Sequence, residues 1–141
     1  MQQILDRLAI DTPGPGLHPI DGPLRRWLAG QPVRDGLLTL LLQHTSASLT
    51  IQENADPDVL RDLQDAVANL APHGGRERYR HASEGPDDMA AHIRTVLSGI
   101  HLSIPVEGGR LVLGTWQGVY LWEHRDRGRT RTIALHLSGT C

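Results

Sequence analysis

The last third of the chain alternates apolar and polar residues, and this pattern limits the possible folds more than any other feature. In TRTIALHLS the apolar residues Ile133, Leu135 and Leu137 recur at every second position, which is the period of a β-strand with one buried face. Three further strand-like segments, IHLSIPV, LVLGTW and GVYLWEH, come before it, and EGGR and RDRG supply turns. The sequence therefore predicts antiparallel β-structure from residue 100 onwards.

Two main helices are predicted upstream of these strands. Asp56 is a good N-cap residue, Pro57 suits the first helical position, and apolar residues then recur at helical spacing until Pro72. The second helix is predicted to begin with Gly85 as its cap and Pro86 as its first residue. Its buried stripe is expected to consist of Met89, Ile93, Val96 and Leu97.

The N-terminal part adds a strand, a loop and a short helix. The apolar run GLLTLLLQ, residues 36–43, indicates a strand buried on both faces. The Gly- and Pro-rich stretch 11–23 is predicted to be a loop, and LRRWLAG a short helix after it. Strands, two main helices and more strands predict one α+β domain over residues 1–141, with mostly antiparallel sheets.

Charge and composition narrow the classes of partner. The chain has 14 Lys and Arg against 16 Asp and Glu, so it lacks the basic excess typical of nucleic-acid binding. No apolar run is long enough for a signal peptide or a membrane span. The single cysteine, Cys141, rules out an internal disulfide and fits a reducing compartment. We therefore expect a cytoplasmic protein that binds neither nucleic acid nor membrane.

Eight histidines are an excess for this length and suggest metal or acid–base chemistry. Asp88 and His92 are four residues apart on the second helix, so their side chains share one face. His81 lies just upstream, and His44 follows the apolar strand. Three neutral imidazoles with an open position would make a catalytic zinc-type site, so His44, His81 and His92 are predicted to bind a divalent ion, zinc or magnesium. The alternative is that Asp88 serves the helix dipole and His92 is a boundary residue.

The stretch HTSAS places three hydroxyl groups beside His44. Thr45, Ser46 and Ser48 could hold an anionic or hydroxylated ligand together with backbone amides. The alternative is a bulge whose hydroxyls bond their own backbone. Ser46 could also act as a nucleophile with His44 as its base, but two residues on one strand face do not by themselves have the required geometry.

Five other side chains are candidates because they lie at the ends of predicted strands or between them. Glu53 and Glu123 end apolar strands, where carboxylates can be functional or simply solvated. Arg131 enters the last strand and could bind phosphate bidentately, although Arg-rich turns are usually a solvated rim. Gln117 offers a donor and an acceptor next to Trp116, whose indole could equally be packing alone.

Taken together, four motifs resemble the YjbQ family of small proteins, described as secondary thiamine-phosphate synthases. They are QHTSASLTIQENADPDV, YRHASEGPDDMAAHI, IPVEGGRLVLGTWQGVYLWEHRDRG and the closing RTIALHLSG. The resemblance implies a compact α+β fold, a homotrimer, and a site near subunit boundaries where histidines can hold a metal. Its polar signature corresponds here to His44, Glu53, Tyr79, His81, Asp88, His92, Trp116, Gln117, Glu123 and Arg131.

The family description implies a weak enzyme that joins hydroxymethylpyrimidine diphosphate to a thiazole phosphate and releases diphosphate. From side-chain chemistry we expect Glu123, Asp88 and Arg131 to be catalytic, with Arg131 and a divalent ion stabilising the departing diphosphate. The expected substrate-binding residues are Thr45, Ser46, Ser48, Glu53, Tyr79, Trp116 and Gln117. Two alternatives stay open: a metal-dependent hydrolase of a small phosphorylated or acylated metabolite, and a non-catalytic trimer that binds a metabolite or metal.

Overall fold

The computed structural model describes all residues, 1–141. The strands are β1 (Gln2–Asp11), β2 (Gly16–Pro19), β3 (Asp35–Leu42), β4 (Ala47–Glu53), β5 (His101–Glu107), β6 (Arg110–Leu111), β7 (Gln117–Glu123) and β8 (Thr130–Thr140). The helices are α1 (Asp21–Ala29), α2 (Pro57–Leu70) and α3 (Asp88–Ser98).

The strands form two sheets, and every strand pair is antiparallel. The larger sheet has the order β1-β8-β3-β5-β6, and the smaller one has the order β2-β7-β4. The predicted α+β fold with mostly antiparallel sheets is confirmed. No helix has the length and apolar character needed to span a bilayer.

The main core is one cluster of apolar side chains contributed by both sheets and by α1. The inward residues of β3 and β8 contact those of β4 and β7, and Leu24 and Leu28 of α1 complete the cluster. Removing each large apolar side chain from water contributes roughly 1.5–3 kcal/mol to folding. The core therefore anchors β4 and β7, and several of the candidate polar residues lie in or next to these two strands.

The loop predicted over residues 11–23 contains a strand. β2 pairs with β7, with Gly16 opposite Glu123 and Pro19 opposite Tyr120. Leu17 of β2 packs with Tyr120 and Trp122 on the face of the small sheet that α2 covers. Glycine and proline are usual in turns, so the composition of this stretch predicted a loop where the structure has a short strand at the edge of a sheet.

The prediction that β3 is buried on both faces is wrong for the single chain. Leu38, Leu40 and Leu42 are buried in the core, whereas Leu37 and Leu41 are 41% and 43% exposed. The side chains alternate because no element of this chain covers the second face of the larger sheet.

Helix α2 has the predicted start, and α3 differs from its prediction. Asp56 is the N-cap of α2, and its carboxylate accepts a hydrogen bond from the Asp58 N–H. In contrast, α3 begins at Asp88 rather than at Pro86, because residues 86 and 87 form a turn. Val96 is 84% exposed, so the predicted apolar stripe is wrong.

The buried face of α3 consists of small residues instead. Ala90, Ala91 and Thr95 are buried, and α3 packs against β4. Small side chains allow the helix backbone to approach the strand closely. This face also carries Asp88, which is only 2% exposed.

Candidate metal centre

Three of the predicted site residues meet at the N-terminal end of α3. Asp88 and His92 are one helical turn apart, and His81 reaches them from the preceding loop. Gly85 has a φ of +105°, a conformation that favours glycine, and it lets the loop reverse before the helix starts. One potential ligand atom from each of the three residues lies within 4.8 Å of the others.

The two imidazoles approach the same carboxylate oxygen. Nε2 of His81 lies 2.7 Å from Asp88 Oδ2, and Nε2 of His92 lies 3.2 Å from it. The two rings are edge to face, with centroids 5.5 Å apart. A two-histidine, one-carboxylate group of this kind is a common ligand set for divalent ions.

The hydrogen bond made by Nδ1 of His92 determines the protonation of its Nε2. Nδ1 lies 2.9 Å from the Thr45 carbonyl oxygen, so it carries the proton that it donates there. In the neutral ring Nε2 then holds a lone pair that faces the Asp88 carboxylate. These two groups repel unless a proton or a metal ion lies between them. A backbone carbonyl that fixes the tautomer is also the usual support of a metal-bound histidine, so these residues fit a divalent cation.

Asp88 is held as a carboxylate by its surroundings. Burial alone would raise its pKa, but the hydrogen bond with His81 and the charge of Arg125 hold that pKa below its ordinary value. Nη1 of Arg125 donates to Asp88 Oδ1 at 2.7 Å, which leaves Oδ2 for the histidines. The free oxygen is thereby directed toward the candidate ligand site.

Arg125 was missed by the sequence analysis, which took the RDRG turn for a solvated rim. Its Nε also donates to Asp87 Oδ2 at 2.8 Å, and its Nη2 donates to the Glu84 carbonyl oxygen. Burial opposes ionisation of Asp87, but the hydrogen bonds from Arg125 and the Asp126 N–H lower its pKa to about 2. One guanidinium thus ties the loop to the start of α3.

His44 does not join the three-residue cluster. Its Nε2 accepts a hydrogen bond from the Thr132 N–H at 2.9 Å, so the neutral ring carries its proton on Nδ1 and has no free lone pair for a cation. Burial and the charge of Arg131 lower its pKa. The candidate ligand set therefore differs from the three predicted histidines, with Asp88 in place of His44.

A pocket of about 400 Å³ nevertheless links His44 to the cluster. His44, Thr45 and His92 line it together with residues from the end of α3 and the start of β5. Because its Nδ1 carries the proton, His44 can donate a hydrogen bond to a ligand in this pocket.

Arg131 and Glu123 form a buried ion pair rather than an open phosphate contact. They are 2% and 1% exposed. Nε of Arg131 donates to Glu123 Oε1 at 2.8 Å, and Nη2 donates to Glu123 Oε2 and to both the hydroxyl and the carbonyl oxygen of Ser46. Thr12 also donates to Glu123. The expected contact of Arg131 with a phosphate does not fit this geometry, nor does Ser46 as an open ligand contact.

Ser48 has a buried partner that sequence analysis missed. Its Oγ lies 2.8 Å from Nε2 of His124, and both residues are fully buried or nearly so. Burial and the charge of Arg94 lower the pKa of His124 to about 3, so the ring is neutral at neutral pH. The signal was present, since His124 continues the alternation of Tyr120 and Trp122 on the same side of the strand.

The other expected substrate-binding residues contact their own local backbone. Glu53 accepts a hydrogen bond from the Asp56 N–H, Gln117 accepts one from the Gly114 N–H, and Tyr79 donates to the Pro72 carbonyl oxygen. Trp116 is 64% exposed.

Three of these residues lie far from His81, Asp88 and His92, at the opposite end of the β4–β7 ladder. Glu53 is opposite Gln117 at one end of the ladder, and Trp116 is next to Gln117. Ala47 is opposite Glu123 at the other end. At the usual rise per strand residue, Ala47 and Glu53 are roughly 20 Å apart. A single chain does not bring Glu53, Trp116 and Gln117 to the histidine cluster.

Comparison with known proteins places the chain in a family. A family model described as "UPF0047 protein YjbQ-like" matches residues 6–140. The chain belongs to the YjbQ family. A YjbQ relative, UPF0047 protein sll1880 of Synechocystis, is 52% identical over 132 residues, covering 94% of this chain and 89% of the relative. UPF0047 protein YjbQ of Escherichia coli O157:H7 is 44% identical, covering 94% and 95%.

Solved structures of YjbQ-like proteins share the fold. The conserved hypothetical protein TT1486 from Thermus thermophilus superposes with a TM-score of 0.83 at 39% identity, covering 94% of this chain and 99% of that one. A YjbQ/UPF0047 family protein from Clostridium acetobutylicum gives a TM-score of 0.84 at 33% identity, again covering 94% and 99%. The resemblance expected from the sequence motifs is therefore confirmed at the level of family and fold.

Proposed function

We propose that this YjbQ family protein is a metal-dependent enzyme of small phosphorylated metabolites, with a divalent cation held by His81, Asp88 and His92. The observation that carries the proposal is the orientation of the His92 ring between the Thr45 carbonyl and the Asp88 carboxylate. Nδ1 donates a hydrogen bond to the Thr45 carbonyl oxygen, and Nε2 is left facing the Asp88 carboxylate.

The residues of the chain would prepare this site for catalysis. Arg125 holds the Asp88 carboxylate in place, and Thr45 fixes the ring of His92. His81 is 42% exposed and His92 is 32% exposed at their side chains, so substrate can reach the cluster. A divalent cation bound there would supply Lewis-acid stabilisation of negative charge.

The reaction implied by the family description is the condensation of hydroxymethylpyrimidine diphosphate with a thiazole phosphate. The thiazole nitrogen forms a bond to the pyrimidine methylene carbon as the bond from that carbon to the diphosphate oxygen breaks, and diphosphate leaves. The nitrogen is already nucleophilic, so stabilisation of the leaving group is the main requirement. A weak, secondary activity is expected because Arg131, the cation expected to assist departure, is engaged with Glu123 and Ser46.

The same engagement of Arg131 favours a second candidate, a metal-dependent hydrolase of a small phosphorylated or acylated compound. A substrate whose leaving group carries less negative charge than diphosphate needs fewer cations around that group when it is hydrolysed. Glu123, which was expected to be catalytic, is 1% exposed and paired, so that role is not retained in the proposal. A non-catalytic trimer that retains a metabolite remains the alternative from another class, to be judged by ligand retention without turnover.

Turnover in metal-stripped and metal-repleted protein tests the proposal. Condensation and phosphate or acyl release would be measured with Zn²⁺ and Mg²⁺ in wild type, His81→Ala and His136→Ala. His136 is the matched control because its ring contacts Gln3 outside the cluster. We expect His81→Ala to lower turnover by about 100-fold or more and His136→Ala to leave it unchanged. Turnover in stripped wild type, or in metal-repleted His81→Ala, equal to that of metal-repleted wild type would contradict the proposal.

We also propose the homotrimer that the resemblance implies, in a cytoplasmic setting. The second face of the larger sheet is the surface that such an assembly would cover. Leu5 is 70% exposed on this face, beside Leu37 and Leu41. Arg7 is the only permanent charge in its three central rows of paired residues. Covering this face with a second copy would therefore remove mainly apolar surface from water.

A further inference from the structure

A separate pocket lies where the C-terminal end of α1 meets β6. It has a volume of about 440 Å³ and is lined by Arg25, Leu28, Ala29, Gly109, Arg110 and Leu111. It shares no residue with the pocket beside the metal cluster. Its volume falls within the roughly 300–1,000 Å³ usual for small-molecule sites.

Two guanidinium groups of this pocket are available to a ligand. The side chain of Arg110 makes no hydrogen bond or ion pair within the chain, and the one carboxylate near Arg25 is Asp21, at 3.9 Å. Asp21 is itself engaged, since its Oδ1 accepts from the Val119 N–H. No acidic side chain lines the pocket. Arginine donors in such a setting match the oxygens of a carboxylate or phosphate.

The rest of the lining is apolar or bare backbone. Leu28 is buried in the core, Leu111 packs against that core, and Ala29 adds a methyl group. Gly109 has a φ of +75°, and a Cβ there would lie 2.6 Å from Nη1 of Arg34. A third guanidinium therefore lies against the backbone of the β5–β6 turn, and it donates to the Gly108 carbonyl oxygen.

We propose that this pocket binds a small organic anion, in which one oxyanion group is carried on an apolar body. Arg25 and Arg110 bind the oxyanion, and Leu28, Ala29 and Leu111 contact the apolar body. The site is independent of the proposed metal centre, because neither its residues nor its ligand chemistry involves the histidine cluster.

The test is a two-dimensional amide NMR titration with phenyl phosphate and benzoate, compared with inorganic phosphate and benzyl alcohol. We expect saturable shifts at the amides of residues 28, 29 and 109–111 for one or both aryl anions. The better aryl anion identifies phosphate or carboxylate as the group preferred. Inorganic phosphate lacks the apolar body and benzyl alcohol lacks the charge. Each should therefore bind at least about tenfold more weakly than the better aryl anion. Inorganic phosphate binding as tightly as phenyl phosphate, or shifts confined to the amides of residues 81–92, would overturn the proposal.

Charge variants provide a second arm that leaves the buried leucines intact. Arg110→Gln removes one cation, and Ala29→Glu introduces a carboxylate at an exposed position of the lining. Each should weaken aryl-anion binding by about tenfold or more. Arg61→Gln and Ala66→Glu, at exposed positions of α2, are the matched controls and should leave the affinity unchanged. Equal loss in the control variants would show a general charge effect and overturn the assignment.

Discussion

The ring of His92 has an oxygen acceptor close to each of its two nitrogens. The Thr45 carbonyl requires a proton on Nδ1, and the Asp88 carboxylate requires a positive group at Nε2. Spacing of four residues predicted that Asp88 and His92 share a helix face. The role of Thr45 could not be predicted, because it acts through its backbone carbonyl and not through the hydroxyl that drew attention in the sequence.

Glu123→Gln is expected to lower the free energy of unfolding by about 3 kcal/mol or more, because it leaves the Arg131 charge buried without its partner. The urea midpoint and slope of wild type and variant would measure this loss. Glu84→Gln is the control, since Glu84 is exposed and its carboxylate has no bonded partner. A loss below about 1 kcal/mol, the size expected of a surface pair, would contradict the structural role of the Glu123–Arg131 pair.

His124 should make the folded protein less stable as the pH falls. Its folded pKa is lowered to about 3, whereas an unfolded histidine titrates near 6.5. Between these values the unfolded chain binds a proton that the folded chain does not, so stability rises with pH across that window and is lost as the pH falls.

The comparison of metal-stripped wild type with metal-stripped His124→Gln isolates this effect. Between about pH 6 and pH 5, the free energy of unfolding of wild type should fall by about 1 kcal/mol more than that of the variant. The absolute stability of the variant does not matter, since only the dependence on pH is compared. Parallel pH profiles would show that His124 is not held neutral by burial.

At the level of elements, β3 and β8 pair through two glycines whose backbones leave no room for a side chain. Gly36 is directly opposite Gly139. A Cβ at Gly139 would lie 2.0 Å from the Asp35 carbonyl oxygen, and one at Gly36 would lie 2.0 Å from the Ser138 carbonyl oxygen. The strand pattern predicted both strands, but a sequence does not show which strands are neighbours, so the need for this glycine pair was not foreseen.

Gly139→Ala should therefore destabilise the protein by more than about 2 kcal/mol, because the strands must separate or bend to admit the methyl group. Thermal and urea unfolding would measure the loss. Gly30→Ala is the matched control: its new Cβ would meet only the Trp27 carbonyl oxygen at 3.5 Å, an ordinary contact. Equal stability of Gly139→Ala and wild type would contradict the register of β3 and β8.

The two long helices show why local signals succeeded in one place and failed in another. The start of α2 followed from Asp56 and Pro57, since capping acts between near neighbours. The buried face of α3 depends on what the helix packs against. Sequence periodicity predicted that Val96 would be buried. In the structure Ala91 and Thr95 are buried instead, because α3 packs closely against β4.

At the level of the whole molecule, the sequence predicted the fold class, but not which of the candidate polar residues folding brings together. His81 joins α3 through a loop reversal at Gly85, a contact that depends on tertiary structure. Arg131 was expected at a ligand, yet folding places it against Glu123. Charged residues at strand ends look alike in sequence whether they are solvated, paired in the core or catalytic.

The uncovered face of the larger sheet leads to a prediction about assembly. Light scattering should give a mass of about three chains, because exposed apolar surface of this kind usually marks an interface. Leu5→Lys combined with Leu41→Lys should shift the mass to one chain, and Arg61→Glu with Asp62→Lys on exposed α2 positions should not. A single-chain mass for wild type at micromolar concentration would contradict the proposed trimer.

The most direct test of the central claim is the metal content of purified protein, measured by elemental mass spectrometry after identical repletion of all variants. We predict about one equivalent of a divalent metal in wild type and in His44→Ala, and loss of most of it in folded His81→Ala, Asp88→Asn and His92→Ala. Circular dichroism would verify that each variant is folded. Metal retained in all of the cluster variants, or no metal bound by wild type, would contradict a metal centre at His81, Asp88 and His92.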